Sequence, residues 1–319
     1  MQPTNHRAWQ ARLALMVIFG VAAAAACLVT LMWWKASASS AQVVASPEAV
    51  FVTRCNFSHR SMDDPIVFPG QPDAAHSHDF FANRSTYSDS TYQSLREYSG
   101  TTTATKSGTT CVNPDDKSAY WIPTMSWTNN SGTRELKAST AHFYYRSGGK
   151  PPEDVLPPPP GLKVVPNTHV NWRCSGVTAV SPSPPTRCSS GTLVVSIRFP
   201  DCIAEDSSGQ PLLDTGPTAP DPHRSHMAYA VLQNDGTKLC PETHPYSVAA
   251  LTMEVKFKIG TTSGTVKLSS DPQGVPPGST MHADFFNAWD QDKLTALVES
   301  CINAYPFTAE PKPTKCRQV

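Results

Sequence analysis

LTMEVKFKI, residues 251–259, is the stretch that decides the fold. Leu251, Met253, Val255, Phe257 and Ile259 alternate with Thr252, Glu254, Lys256 and Lys258. Successive side chains of a strand point to opposite faces, so one face of this segment belongs to a core and the other to solvent. That pattern is typical of an antiparallel sheet; parallel strands buried on both faces read as continuous apolar runs.

Working outward, similar strand-like segments recur: AVFVTRCNF at 49–57, AYWIP within 115–127, HFYYRS at 142–147, LKVV at 162–165, VNWRC at 170–174, TLVVSIRFP at 192–200, HMAYAVL at 226–232 and TMHADFF at 280–286. Thirty of 319 residues are proline, nearly twice the usual share of about 5%, as expected of short strands joined by many turns. The period changes once near the end. In DQDKLTALVESCI, residues 290–302, Leu294, Leu297, Val298 and Ile302 recur at helical spacing behind Asp290, a residue suited to an N-cap. The expected fold is mainly β: an antiparallel, jelly-roll-like β-sandwich with long loops and one C-terminal helix, stapled by disulfides. Residues 86–110, polar and without a clear period, read as a surface loop, and the Pro-rich stretch at 148–161 as a stiff connector within a single β-domain at 49–306. A Pro-rich tail follows at 307–319.

Ahead of that domain, residues 13–34, LALMVIFGVAAAAACLVTLMWW, are uncharged and apolar. Such a run is long enough to span a bilayer, whereas the apolar part of a signal peptide is about 7–15 residues. The expected arrangement is a cytoplasmic tail at 1–12, a single-pass anchor in the cell membrane at 13–34, a linker at 35–48 and an extracytoplasmic domain. The alternative is a signal segment, with the protein secreted after cleavage near Ala41. Of nine cysteines, Cys27 lies in the apolar run. The other eight, Cys55, Cys111, Cys174, Cys188, Cys202, Cys240, Cys301 and Cys316, are widely spaced and without Cys-x-x-Cys, which fits four disulfides in an oxidising compartment. Nearest-neighbour closure is expected, with Cys174 to Cys188 the clearest pair.

Lysine plus arginine equal aspartate plus glutamate, 26 each, so no electrostatic footprint for nucleic acid is present. Gly-x-Ser-x-Gly, Walker, dinucleotide and His-Glu-x-x-His patterns are absent from the sequence. Chemistry concentrates instead in DDPIVFPGQPDAAHSHDFFANRS, residues 63–85. If His76 to Phe80 is extended, His76, His78 and Phe80 share one face and Asp79 takes the other. Two imidazoles on one face suit a metal, an anion, or paired acid and base. Further histidine motifs stand at His223-x-x-His226 and His282-x-Asp284.

The same stretch resembles domain-of-unknown-function family nineteen-ninety-six, found in actinobacteria and fungi. The resemblance continues through TTCVNPDDKSAYWIPTM at 109–125, YYR at 144–146, PPPPGLKVV at 157–165, IRFPDC at 197–202, HRSHMAY at 223–229, CPETHP at 240–245 and HADFFNAWDQDKL at 282–294. It matches the family's motif positions at His76, His78, His226, His244, His282, Asp284 and Asn287. After Cys202 the chain departs from the family's usual Trp-Asp-Gly with Ile203, Ala204 and Glu205. The family brings no activity with it, but fungal members are secreted and some carry a carbohydrate-binding module, which implies a polysaccharide or cell-wall glycan as partner.

Three functions are expected on this basis. The first is a cleft that binds a polysaccharide and, as an enzyme, cleaves it, with His78, His226 and His282 as catalytic groups, Asp79 or Asp284 orienting one of them, and Tyr145 supplying a proton. His76, Asn83, Tyr120, Trp121, Arg146, Asn287 and Trp289 would contact the ligand. The second is a divalent-metal protein using His76, His78, His226 and His282. The third is a non-enzymatic cell-envelope module.

Overall fold

The computed structural model describes residues 49–98, 108–166 and 168–305, together with Cys316. The anchor or signal segment at 13–34 lies outside the described residues. Among the described residues, no helix is long and apolar enough to cross a membrane. The residues from Glu48 onward form one compact unit.

The strands, in chain order, are β1 (Val50–Ser61), β2 (His78–Ala82), β3 (Ala119–Pro123), β4 (Met125–Asn129), β5 (Gly132–Leu136), β6 (Thr140–Arg146), β7 (Lys163–Val164), β8 (Val170–Cys174), β9 (Thr192–Arg198), β10 (Cys202–Ile203), β11 (Met227–Ala228), β12 (Val231–Leu232), β13 (Lys238–Leu239), β14 (Tyr246–Ser247), β15 (Ala250–Lys258), β16 (Thr265–Leu268) and β17 (Asp284–Phe286). Among the described residues there are two α-helices, α1 (Tyr92–Glu97) and α2 (Gln291–Val298), with short helical turns besides. The main sheet has nine strands in the order β7-β17-β3-β2-β1-β6-β15-β9-β8, and each of its pairings is antiparallel. Small sheets are formed by β16-β4-β5, β11-β10-β14 and β12-β13.

The deciding stretch is β15, with Leu251, Met253, Val255 and Phe257 buried and Lys256 and Lys258 exposed. Its inward side chains continue across the sheet: Leu251 lies opposite Tyr145, and Tyr145 opposite Phe51, with the last two rings stacked at 4.7 Å. Trp127, Val266 and Leu268 of the β16-β4-β5 sheet are buried in the same core. Gly264 is required there, because a Cβ would meet the Trp127 ring at 2.5 Å.

The other end of the sheet is apolar on both sides. Phe81, Tyr120, Ile122 and Phe285 belong to the main core, whereas Phe80, Trp121 and Phe286 pack on the opposite face with Ile66, Leu95 and Val165. Helix α1 supplies Leu95; it breaks the expected loop at 86–110 because Thr91 and Ser94 form a capping box. Helix α2 starts as expected behind Asp290, whose side chain accepts from the Lys293 N–H, and it buries Leu294 and Val298. The HMAYAVL segment is two short strands, β11 and β12, rather than one.

Each of the eight cysteines is bonded to its neighbour in sequence: Cys55–Cys111, Cys174–Cys188, Cys202–Cys240 and Cys301–Cys316. Beside the third bridge lies a buried ion pair. Lys150 Nζ donates to Asp201 Oδ2 at 2.9 Å, and also to the carbonyls of Asp201 and Val248, with both side chains at most 1% exposed. Removing one partner of such a pair leaves a charge in low dielectric. Lys150→Met is expected to lower folding stability by about 3–5 kcal/mol, read as a drop in the urea midpoint. A Lys150→Met/Asp201→Asn double variant should recover part of that loss.

Candidate metal centre

Strand register builds the site. Phe80 lies opposite Trp121, and Trp121 opposite Asp284, so these three side chains share the outer face. One step along, His78 faces Pro123, and His282 precedes Asp284 by two residues, which returns it to the same side. His76 joins them from the segment leading into β2. Its ring lies 4.2 Å from His78 and 5.2 Å from His282, and His78 and His282 are 5.9 Å apart.

The loop before β2 closes over this row. Asp64 Oδ1 accepts from the backbone N–H groups of Ile66 and Val67, each at 2.9 Å, which folds the Pro65–Pro69 segment into a tight turn. The preceding carbonyl, of Asp63, accepts from His78 Nδ1 at 3.1 Å. His282 Nδ1 likewise donates to the Thr280 carbonyl at 2.9 Å. A carbonyl only accepts, so in both neutral rings the proton sits on Nδ1 and Nε2 keeps its lone pair. Burial holds the His76 and His78 imidazoles below their ordinary range, His78 well below and further lowered by its two histidine neighbours. Burial likewise brings His282 down to about 4.

The acceptors then converge. His76 Nε2, His78 Nε2 and both carboxylate oxygens of Asp284 are buried without a hydrogen-bond partner. His282 Nε2 lies 3.7 Å from Asp284 Oδ2. Burial, reinforced by the Asp64 carboxylate and opposed by Arg224, pushes the Asp284 carboxyl well above its usual range. Two ligand groups overlap at His78: His76, His78 and His282, and Asp64, His78 and Asp284, each with one ligand atom per residue within 4.8 Å of the others. A third group, Cys55, Cys111 and Asp116, has its sulfurs tied in a disulfide. The main cluster opens on a cleft of about 430 Å³ whose walls include Asp64, His76, His282, Asp284 and Arg224.

The family model described as Domain of unknown function (DUF1996) matches residues 64–289, a span that begins at Asp64 and encloses His76, His78, His282 and Asp284. The chain belongs to the DUF1996 family. No curated protein and no solved structure matches it.

Of the residues singled out in the sequence, the DUF1996 domain brings His76, His78, His282 and Asp284 together, with Trp121 buried as a wall beside them. The remainder sit elsewhere. Asp79 takes the opposite face of β2, where Arg60 Nε donates to it at 2.6 Å. His226 donates from Nε2 to the Lys163 carbonyl at 2.7 Å, and the side chains that act on its charge are Asp214, His223 and His244 rather than the cluster. Asn83 is buried and donates to the Leu95 and Lys117 carbonyls. Asn287 ties the Pro-rich connector to β17 through the carbonyls of Pro158 and Pro159. Arg146 lies over the Tyr144 ring, 4.4 Å from its centroid. Asp64 and Arg224 were not legible as site residues. The one signal for Asp64 was its place at the head of the histidine-bearing stretch.

Tyr120, Tyr145 and Trp289 are fully buried and form an internal network instead of a stacking surface. Tyr120 and Tyr145 share a 2.7 Å hydrogen bond, Tyr120 donates to Asp116 Oδ2 at 3.1 Å, and the Trp289 indole donates to the Tyr145 hydroxyl at 3.1 Å. Burial raises both phenols well above their ordinary range, and the Tyr145 hydroxyl faces Tyr120 and Trp289 inside the core rather than a ligand. Asp116 is pushed up from 3.8 to about 7 by burial, against the hydrogen bonds it accepts from Ser118 and Tyr120. A raised folded-state value means that its stability contribution is complete below about pH 4 and is lost as pH rises through about 7. Asp116→Asn is neutral throughout, so its stability relative to wild type should rise between pH 4 and 7. Urea midpoints of the two proteins across that interval check this, and parallel profiles would count against a buried, protonating Asp116.

Proposed function

We propose that the DUF1996 domain is a metal-binding protein whose centre takes one divalent first-row transition-metal ion. The ligands are Nε2 of His76, His78 and His282 and a carboxylate oxygen of Asp284, with Asp64 beside them. The observation that carries the reading is that buried, unpartnered acceptors gather in two ligand triads sharing His78. An unsatisfied buried polar group costs about 1–3 kcal/mol, and a single cation would satisfy several at once. Imidazole nitrogens with a carboxylate suit zinc, copper, iron or nickel. Backbone carbonyls that hold Nδ1–H are the usual outer partners of metal-bound histidine. Bonds of about 2.0–2.1 Å set tetrahedral ligand atoms roughly 3.3 Å apart, so modest ring rotations would close the present spacing. A cation would also favour the ionised form of Asp284, reversing the effect of its burial.

A second reading, binding and cleavage of a polysaccharide, draws support from the cleft itself. Ser270, Ser279 and Thr280 line it beside the cluster, and a metal there would polarise a substrate oxygen or activate water. An extracytoplasmic location, anchored through residues 13–34 or released near Ala41, is supported by the four disulfides. A sandwich of jelly-roll type is supported by the common core of the nine-stranded sheet and the β16-β4-β5 sheet.

The test is metal content of the oxidised domain after chelation and reloading with zinc, copper or manganese, read by mass spectrometry and titration calorimetry. One ion per chain is expected, with affinity falling at least about 100-fold in His78→Ala/His282→Ala and in Asp284→Asn. A folded wild-type domain that takes up no ion, or variants that bind as tightly as wild type, would remove the metal reading.

A further inference from the structure

Arg224 connects the proposed centre to a second cavity. The cleft at the histidine cluster, about 430 Å³, meets a smaller one of about 200 Å³, and Val165 and Arg224 line both. Together they fall within the ~300–1,000 Å³ typical of ligand sites. The smaller cavity is mixed in character: Pro166, Pro200, Met227 and Tyr229 line it together with Thr168, Asp221 and Arg224. The Tyr229 ring is fixed there, with its hydroxyl donating to the Arg198 carbonyl at 3.0 Å, the His169 ring 4.0 Å away and the Arg198 guanidinium 5.7 Å from its centroid. What it offers the cavity is a rigid aromatic edge beside Pro200 and Met227, an apolar contact for the side of a sugar ring.

At the junction stands a cation with part of its fork weakly engaged. Arg224 Nε donates to the Val165 carbonyl at 3.0 Å, whereas Nη1 has only a 3.5 Å contact with Asp221, itself 59% exposed. Arg224 lines the same cleft as His282 and Asp284. A guanidinium with an accessible edge pairs in bidentate fashion with a carboxylate. A more highly charged group such as phosphate would meet stronger repulsion from Asp221 beside Arg224.

We propose that the two cavities form one groove for a uronate-containing oligosaccharide: one sugar on Tyr229, its carboxylate on Arg224, and the adjoining linkage at the metal centre. This assignment rests on the metal reading for the last contact alone. The probes are tetragalacturonate and the neutral cellotetraose, titrated calorimetrically into zinc-loaded and chelated wild type, Arg224→Gln and Tyr229→Ala.

Tetragalacturonate is expected to bind wild type about tenfold more tightly than cellotetraose, and Arg224→Gln to lose about that factor while keeping its full metal content. Tyr229→Ala should weaken tetragalacturonate binding without changing metal content. If Arg224→Gln does not fold, Arg224→Lys, which keeps the charge and loses the fork, carries the same comparison with a smaller loss. Equal affinity for the two oligosaccharides, or tetragalacturonate binding that is unchanged in the arginine variant, overturns the groove. If wild type binds no metal, the metal reading falls by itself, and the groove is then decided by the same arginine comparison in metal-free protein.

Discussion

Everything distinctive in this domain depends on the strict two-residue alternation of three adjacent strands, β2, β3 and β17. Odd and even positions diverge: Phe81, Tyr120 and Phe285 enter the main core, while Phe80, Trp121 and Asp284 stand on the far face. Because both faces are covered, the strands are buried along their whole length. The polar residues at their ends are therefore buried as well, and a carboxylate and imidazoles placed there must find partners inside the protein or in a ligand. A one-residue slip of register would exchange the two faces and dissolve both the core and the cluster.

That constraint also explains what was legible in the sequence. The alternation of LTMEVKFKI gave the sheet, and that of HSHDF gave the shared side of His76 and His78. The helix behind Asp290 followed from its spacing and cap. Of the nearest-neighbour cysteine pairs, only Cys174–Cys188 had a local reason in the sequence, strand-like segments joined by a Pro-rich turn; the other three are set by the fold. Hidden from view were the short pairings, such as β7 and β10 to β14, which depend on distant partners rather than on local pattern. Helix α1 was hidden too, since its six residues bury only Leu95.

The site was legible by halves. Residues whose periodicity places them on the outer face, His76, His78, His282 and Asp284, came together. Residues chosen for chemical type alone did not. Tyr120, Tyr145 and Trp289 look like sugar platforms in a sequence, but all three are buried in the main core, and their polar atoms bond to one another and to Asp116. His226 and Asp79 likewise found local partners, a carbonyl and an arginine. Arg224 was hidden because its role depends on where two cavities meet, which no linear spacing records.

The disulfides carry a consequence for how the chain matures. Since each cysteine is joined to the next one along, the four loops neither nest nor cross. A chain delivered from its N-terminus presents each cysteine with its proper partner before any member of a later pair arrives. Among these eight cysteines, oxidation in order of appearance would therefore yield the native set without any reshuffling of bridges.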